Sequence, residues 1–363
     1  MRTMLRKIDI LVLTVVTGLI TGCVKNDPVP GKESQISFSA PVVRGMTKAE
    51  VMGEIEKYPV AENFCVNAVW TKNDLPAWGA DDSVPYMKEV EVAYNGTDSW
   101  DSQSVAGGKP YVWPFDGKLS FAAFSPASVK GLCEYGADGL TIEGFTVPGT
   151  ISAQYDLMYS QRSYNRVDNT NLHSPATYQG VDLVFRHALS SIKFQVKSSN
   201  NYHEAGTEVK ILSIAITDAY SKGNFNENVT DGSSYVALPS WTPDSAVKSD
   251  YNYWSTVEGQ LLTTTISGLK TGDKIVPNAI LLPQVLKDDH HQVQIHVTYS
   301  IRHHGEADFV RQEADLPLST KTVDKWEMGK RYIYTITVGV DKIFFSPEVE
   351  NWENVENRPN VTI

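Results

Sequence analysis

The run Val181-Asp-Leu-Val-Phe-Arg-His-Ala-Leu-Ser-Ser-Ile192-Lys-Phe-Gln-Val196 decides the fold class. Val181, Leu183, Phe185, His187 and Leu189 share one parity; Ile192, Phe194 and Val196 share the other. Alternation with period two marks a strand with one buried face. A change of parity within one strand needs an extra residue, so a β-bulge is expected near Ser190-Ser191. Residues 209–217 show a similar flip between Ile211 and Leu212. His187 falls on the apolar face, where a hydrogen-bonded core histidine is expected.

The same pattern continues outward. Upstream, strands are expected at 63–70, 89–94, 111–114, 118–124, 140–142, 145–147 and 157–159, with Asn95-Gly96 as a hairpin dipeptide after the second. Downstream they are expected at 262–266, 275–282 and 292–300, and along Tyr332, Tyr334, Ile336, Val338 and Val340. Thr47-Lys-Ala-Glu50 resembles a capping box, which predicts one short helix. Short strands at this spacing, broken by turn signals, predict an all-β chain of β-sandwiches. A length of 363 residues suggests two domains. Residues 160–180 lack apolar periodicity and mark the boundary, which gives domains at 45–170 and 171–363.

The first 44 residues have a different character. Arg2, Arg6 and Lys7 precede an apolar stretch at 10–20, which is 11 residues long. That is too short for a membrane-spanning helix, which takes about 20 residues, and it fits an export signal over 1–22. Ile20-Thr-Gly-Cys23 resembles a bacterial lipobox, in which Cys23 becomes the lipidated first residue. Several acyl chains on one residue make such an anchor lasting. Residues 24–33, with Pro28, Pro30 and Gly31, read as an extended tether. Ile36, Phe38, Ala40 and Val42 then alternate as one strand. Pro41 lacks a backbone donor, which is expected to place this strand at a sheet edge, where strands can be exchanged. Arg44-Gly45 is a polar junction that a protease could reach.

The formal charge is −11, and the leader carries three basic residues against one acidic, so its loss leaves −13. An acidic chain does not suit a phosphate backbone, and no nucleic-acid partner is expected. With Cys23 lipidated, Cys65 and Cys133 remain; they can pair outside the cytoplasm or stay as small buried hydrophobes. No HExxH, GxSxG or paired CxxC occurs, and Gly107-Gly-Lys-Pro110 has the wrong spacing for a phosphate loop. Asp288-Asp-His-His291 is rich in metal-ligand types, as are His296, His303 and His304. In a strand, however, His291 and His296 point to opposite faces. No enzyme, cofactor or metal site is expected. Trp70, Trp78, Trp100 and Trp113 could build a sugar-stacking platform. That supports a second reading, a surface lipoprotein that binds glycan and does not polymerise.

Several segments resemble the fimbrillin family. They include Tyr111-Val-Trp-Pro114, Leu119-Ser-Phe-Ala-Ala-Phe-Ser-Pro126, Gln154-Tyr-Asp-Leu-Met-Tyr159 and the run opening at Val181. Tyr220-Ser-Lys-Gly-Asn-Phe225, Leu282-Pro-Gln284, Trp326 with Gly329 and Tyr332, and Ile343-Phe-Phe-Ser-Pro347 with Trp352 follow in the family's order. The fimbrillin-like, or Mfa-like, group fits best. The resemblance implies two transthyretin-like β-sandwich domains and a lipoprotein precursor on the outer membrane of a Gram-negative bacterium. It implies a surface fimbrium used in adhesion, with a host or bacterial glycan or protein as a possible receptor. It also implies that an arginine-specific protease cuts after Arg44, before Gly45, and removes the strand of Ile36, Phe38, Ala40 and Val42. A donor strand from another fimbrial subunit then fills the groove. The expected donor is the tail, with Ile343, Phe345, Val349, Trp352, Val355, Val361 and Ile363 as plugs. Glu350, Glu353 and Glu356 interrupt its apolar face, which leaves a tip or accessory position open beside a stalk position.

Overall fold

Most buried apolar side chains fall into two clusters. The computed structural model describes residues 35–39, 41–44, 56–72, 83–114, 117–160, 180–230, 234–235 and 239–352. Among them strands predominate, and the only helical segments are short 3-10 turns at Ala127–Leu132, Ile151–Ala153 and Tyr202–Ala205. The helix expected at 47–50 lies outside the described residues. Mostly antiparallel sheets around apolar cores make this an all-β chain of β-sandwich type.

The strands of the first half are β1 (Phe38–Ser39), β2 (Val42–Arg44), β3 (Glu56–Lys57), β4 (Phe64–Thr71), β5 (Val84–Tyr94), β6 (Ser99–Asp101) and β7 (Lys118–Ser125). They continue with β8 (Cys133–Gly136), β9 (Gly139–Thr146), β10 (Met158–Ser160) and β11 (Val184–His187). Nine of them form one sheet in the order β1-β6-β5-β4-β7-β10-β11-β2-β3. The β1 end closes back on the sheet, because Phe38 of β1 also bridges Val181 just ahead of β11. The sheet therefore closes around a core containing Phe38, Phe64, Phe121 and Phe185.

Strand β4 reads Phe-Cys-Val-Asn-Ala-Val-Trp-Thr and is buried on both faces. Phe64 and Val66 enter the first core, while Cys65 enters the second. Strand β7 behaves alike, with Phe121 and Ala123 on one side and Phe124 on the other. Covering both faces is why these two strands carry near-continuous apolar runs rather than a clean alternation.

The second core is larger. It lies among β12 (Ser190–Ser198), β13 (Glu208–Tyr220), β14 (Lys222–Asn226) and the strands after them. Strand β12 pairs in parallel with Lys330–Val338, which pairs antiparallel with Ile343–Asn351. Strand β13 lies between Lys248–Leu261 and Gln294–Arg302. Strands β8 and β9 leave the first sheet and join β14 in a separate four-stranded sheet. The two halves therefore interleave: 181–185 serve the first core, and Leu140, Ile142 and Phe145 of β9 serve the second. The boundary expected at 170–171 falls outside the described residues.

The parity change near Ser190-Ser191 is not a bulge within one strand. Strand β11 ends at His187, Ala188 and Leu189 are buried outside any strand, and β12 begins at Ser190 in another sheet. The chain passes from the first core to the second, so each parity is correct for its own sheet. At Ile211 the flip is a true bulge. Both ladders flanking β13 shift register between Ile211 and Ser213.

Candidate functional site

The run 35–44 is the candidate site, and it is held from both sides. On one side, Ser39 N donates to Val181 O at 3.0 Å and Val181 N donates to Ser37 O at 2.8 Å. β2 continues this side in parallel with β11, Val42 opposite Val184 and Arg44 opposite Arg186. On the other side, Ile36 N donates to Tyr111 O at 2.8 Å, and Phe38 lies opposite Trp100 in the β1–β6 ladder. Tyr58 N then donates to Pro41 O at 2.8 Å, and β3 pairs with β2.

The run is therefore interior, which corrects the expectation that Pro41 marks an edge. From Phe38 to Val42 the run advances four positions while its partner advances three, from Val181 to Val184. Pro41 sits in that irregular step, where its missing donor breaks no ladder bond and its carbonyl is still used. The step also resets the alternation. Ile36, Phe38, Pro41 and Val43 are buried. Ala40 lies outside the described residues, and Val42 is placed by its backbone in β2.

Phe38 is 1% exposed and is the largest plug of the run. Its ring meets Phe64 edge-on at 5.9 Å and Phe121 edge-on at 5.7 Å. Behind it, Gly180 has φ +96°, and a Cβ there would stand 2.6 Å from Ser39 N and 3.0 Å from Phe38 C. Only glycine lets the two backbones approach this closely. Arg44 is the last residue of β2, while Gly45 and the whole of 1–34, Cys23 included, lie outside the described residues.

The expected donor residues divide into two groups. Ile343, Phe345 and Val349 belong to the strand Ile343–Asn351, paired along its length with Lys330–Val338. Ile343 and Phe345 pack on the second core, and Val349 is 44% exposed. Trp352 is fully buried, its N donates to Gly329 O at 2.9 Å, and its indole stacks on His187 at 4.0 Å and 6°. His187 Nδ1 lies 2.7 Å from Asp156 Oδ2. The root of the tail thus rests on the end of the strand that pairs with the run. Val355, Val361 and Ile363 lie outside the described residues.

The family model described as fimbrillin-like matches residues 67–352. The chain belongs to the fimbrillin-like family. A fimbrial protein from Bacteroides vulgatus superposes with a TM-score of 0.50 at 16% identity, covering 86% of this chain and 99% of that one. A candidate cell adhesion protein from Bacteroides uniformis gives 0.49 at 14% identity, covering 89% and 100%. At these identities the likeness concerns the fold. A search of curated protein sequences returns no match. Family membership supports a structural, fimbrial adhesion-type role at the cell surface, in contact with other fimbrial subunits.

The remaining chemistry of this fimbrillin-like chain is that of a packed scaffold. Cys65 and Cys133 are both free and buried. Burial pushes the Cys65 thiol up to about 12 and raises that of Cys133. Trp100 and Trp113 are buried in the first core, Trp70 is half-buried and Trp78 lies outside the described residues. With Trp100 and Trp113 buried, the described tryptophans do not form the sugar-stacking platform that these four could have built. Asp288 accepts hydrogen bonds from the backbone N of His290 at 2.7 Å and of His291 at 3.0 Å, and from Tyr220 Oη at 3.0 Å. His291 Nδ1 lies 2.9 Å from its Oδ1. His291 first, then the other donors, hold the Asp288 carboxyl well below the usual range. Burial, then Asp288, push Tyr220 up to about 12. His296 Nδ1 lies 2.7 Å from Asp315 Oδ1. Among the described residues no three His, Cys, Asp or Glu side chains come together as a metal site.

Proposed function

We propose that this chain is a fimbrial subunit exported as a lipoprotein anchored at Cys23 and trimmed after Arg44 by an arginine-specific protease. It is then assembled as a strand from another subunit replaces 35–44. The observation that supports this best is the two-sided hold on the run. Its loss opens ladder edges on both flanks and empties the positions of Ile36, Phe38 and Val43, each 3% exposed or less. At about 1.5–3 kcal/mol per buried side chain, refilling them supplies roughly 5–9 kcal/mol before ordering costs. Strand addition restores the backbone bonds at the same time. An arginine-specific pocket reads the planar guanidinium fork, which the nearby Lys48 lacks. Strand Ile343–Asn351 is paired in its own sheet, so the donor leaving this subunit begins after Trp352 and carries Val355, Val361 and Ile363 as plugs.

The test is to incubate the purified precursor with an arginine-specific protease, sequence the new N-terminus and follow association by electron microscopy. The expected outcome is a chain starting at Gly45 that associates once a subunit carrying a fitting donor strand is added. A chain that stays intact at Arg44, or is cut there and then takes up no replacement strand, the 35–44 peptide included, sinks the mechanism.

A further inference from the structure

The socket now filled by Phe38 sets what kind of strand can enter. We infer that the strand replacing 35–44 carries an aromatic side chain at the Phe38 register, a side chain that residues 353–363 of a second copy do not supply. The inference rests on the strand-replacement reading above and specifies its partner.

The geometry is specific. Phe64 and Phe121 both present themselves to Phe38 at nearly a right angle, 79° and 86°. Edge-to-face packing of this kind favours another aromatic ring over an aliphatic plug of similar size. Trp100 faces Phe38 across the β1–β6 ladder, and Trp113 packs edge-on behind Phe121 at 5.7 Å, so the socket wall is itself braced. Gly180 brings backbone to backbone at the same point, which fixes the height at which the entering ring must sit. The other plugs ask for less. Ile36 stands two residues before the aromatic, and Val43 five residues after it, beyond the irregular step at Pro41.

This chain's own tail does not supply that pattern. Residues 353–363 read Glu-Asn-Val-Glu-Asn-Arg-Pro-Asn-Val-Thr-Ile and contain no aromatic residue. The aromatics ahead of them are engaged: Phe345 packs edge-on to Tyr334 at 5.6 Å, and Trp352 stacks on His187. Val355 to Val361 is a spacing of six and Val361 to Ile363 of two, whereas the run places its buried apolar side chains at intervals of two, three and two. The fitting partner is an extended strand with an aliphatic residue, then Phe or Tyr two positions on, then a β-branched residue about five positions further.

The experiment uses the full chain after cleavage at Arg44 and measures binding of labelled synthetic peptides by competition. The peptide 35–44 is expected to bind. Its Phe38→Ala form is expected to bind at least about 100-fold more weakly, and its Phe38→Tyr form within about tenfold. The peptide 353–363 is expected to bind at least about 100-fold more weakly than 35–44, and a version of 353–363 with Phe at the matching register is expected to recover most of that loss. Equal binding by the Phe38→Ala peptide, or tight binding by unaltered 353–363, overturns the inference while leaving strand replacement standing. Failure of the native 35–44 peptide to bind the cleaved chain overturns both.

Discussion

The two cores differ in where their closing strand comes from. The larger is completed by Ile343–Asn351, which directly follows its partner Lys330–Val338 and pairs with it throughout. The smaller is completed by 35–44, whose Ser39 reaches across 142 positions of sequence to Val181. A near neighbour closes with little loop entropy, while a remote strand must be held by what it buries. The first strand is tied to its partner by the short link 339–342. The second can be undone by one cut after Arg44, because nothing but packing and ladder bonds then holds the run. The same architecture thus yields one unit closed by a neighbouring strand and one closed by a remote strand.

The largest test of that contrast is Phe38→Ala. It is expected to cost the first core about 3–5 kcal/mol and to leave the second core's transition in place. Calorimetry of the full chain should show one transition lowered and one unmoved; a uniform shift of both would mean the cores melt as one. Next is Gly180→Ala, expected to cost about 1–3 kcal/mol, since the new methyl group meets the Ser39 backbone and φ is positive. Urea melts should report the loss, and it should shrink to the backbone cost of the positive φ once 35–44 has been released.

A third variant concerns the second core. The Asp288 carboxyl is held below its usual range, so its contribution is fully present above the unfolded value of about 3.9 and is lost as pH falls towards its lower folded value. Asp288→Asn should therefore lower the melting temperature at neutral pH, and the gap to the parent chain should narrow below about pH 4. The smallest effect is expected for Phe344→Ser on the outer strand of the same core. Phe344 is 43% exposed, and its loss should change stability by no more than about 0.5 kcal/mol.

Much of this contrast is legible in sequence, though not its meaning. Strands β4 and β7 follow from their apolar runs, and Asn95-Gly96 correctly marks the β5–β6 hairpin, where Asn95 N donates to Ser99 O. The flip at Ile211 is the bulge it looks like. The flip after Leu189 has the same signature and a different cause, because periodicity reports which side of a strand is buried and not which core buries it. Pro41 misleads for a related reason. A missing donor is tolerated at an edge or at an irregular step, and sequence cannot separate the two. The socket at Phe38 is invisible in the sequence, since Phe64, Phe121 and Gly180 meet there only once the sheet has closed. The strong apolar alternation of the opening run was its one advance signal.

The stacking of Trp352 on His187 also has a mechanical side. His187 ends β11, and β11 is the strand along which 42–44, or whatever replaces them, is laid. In a filament linked as proposed, tension would enter each subunit through the strand lying on β11 and leave through the chain continuing from Trp352. Both handles sit on one short strand, so the pulling load would cross the subunit near the junction of its two cores.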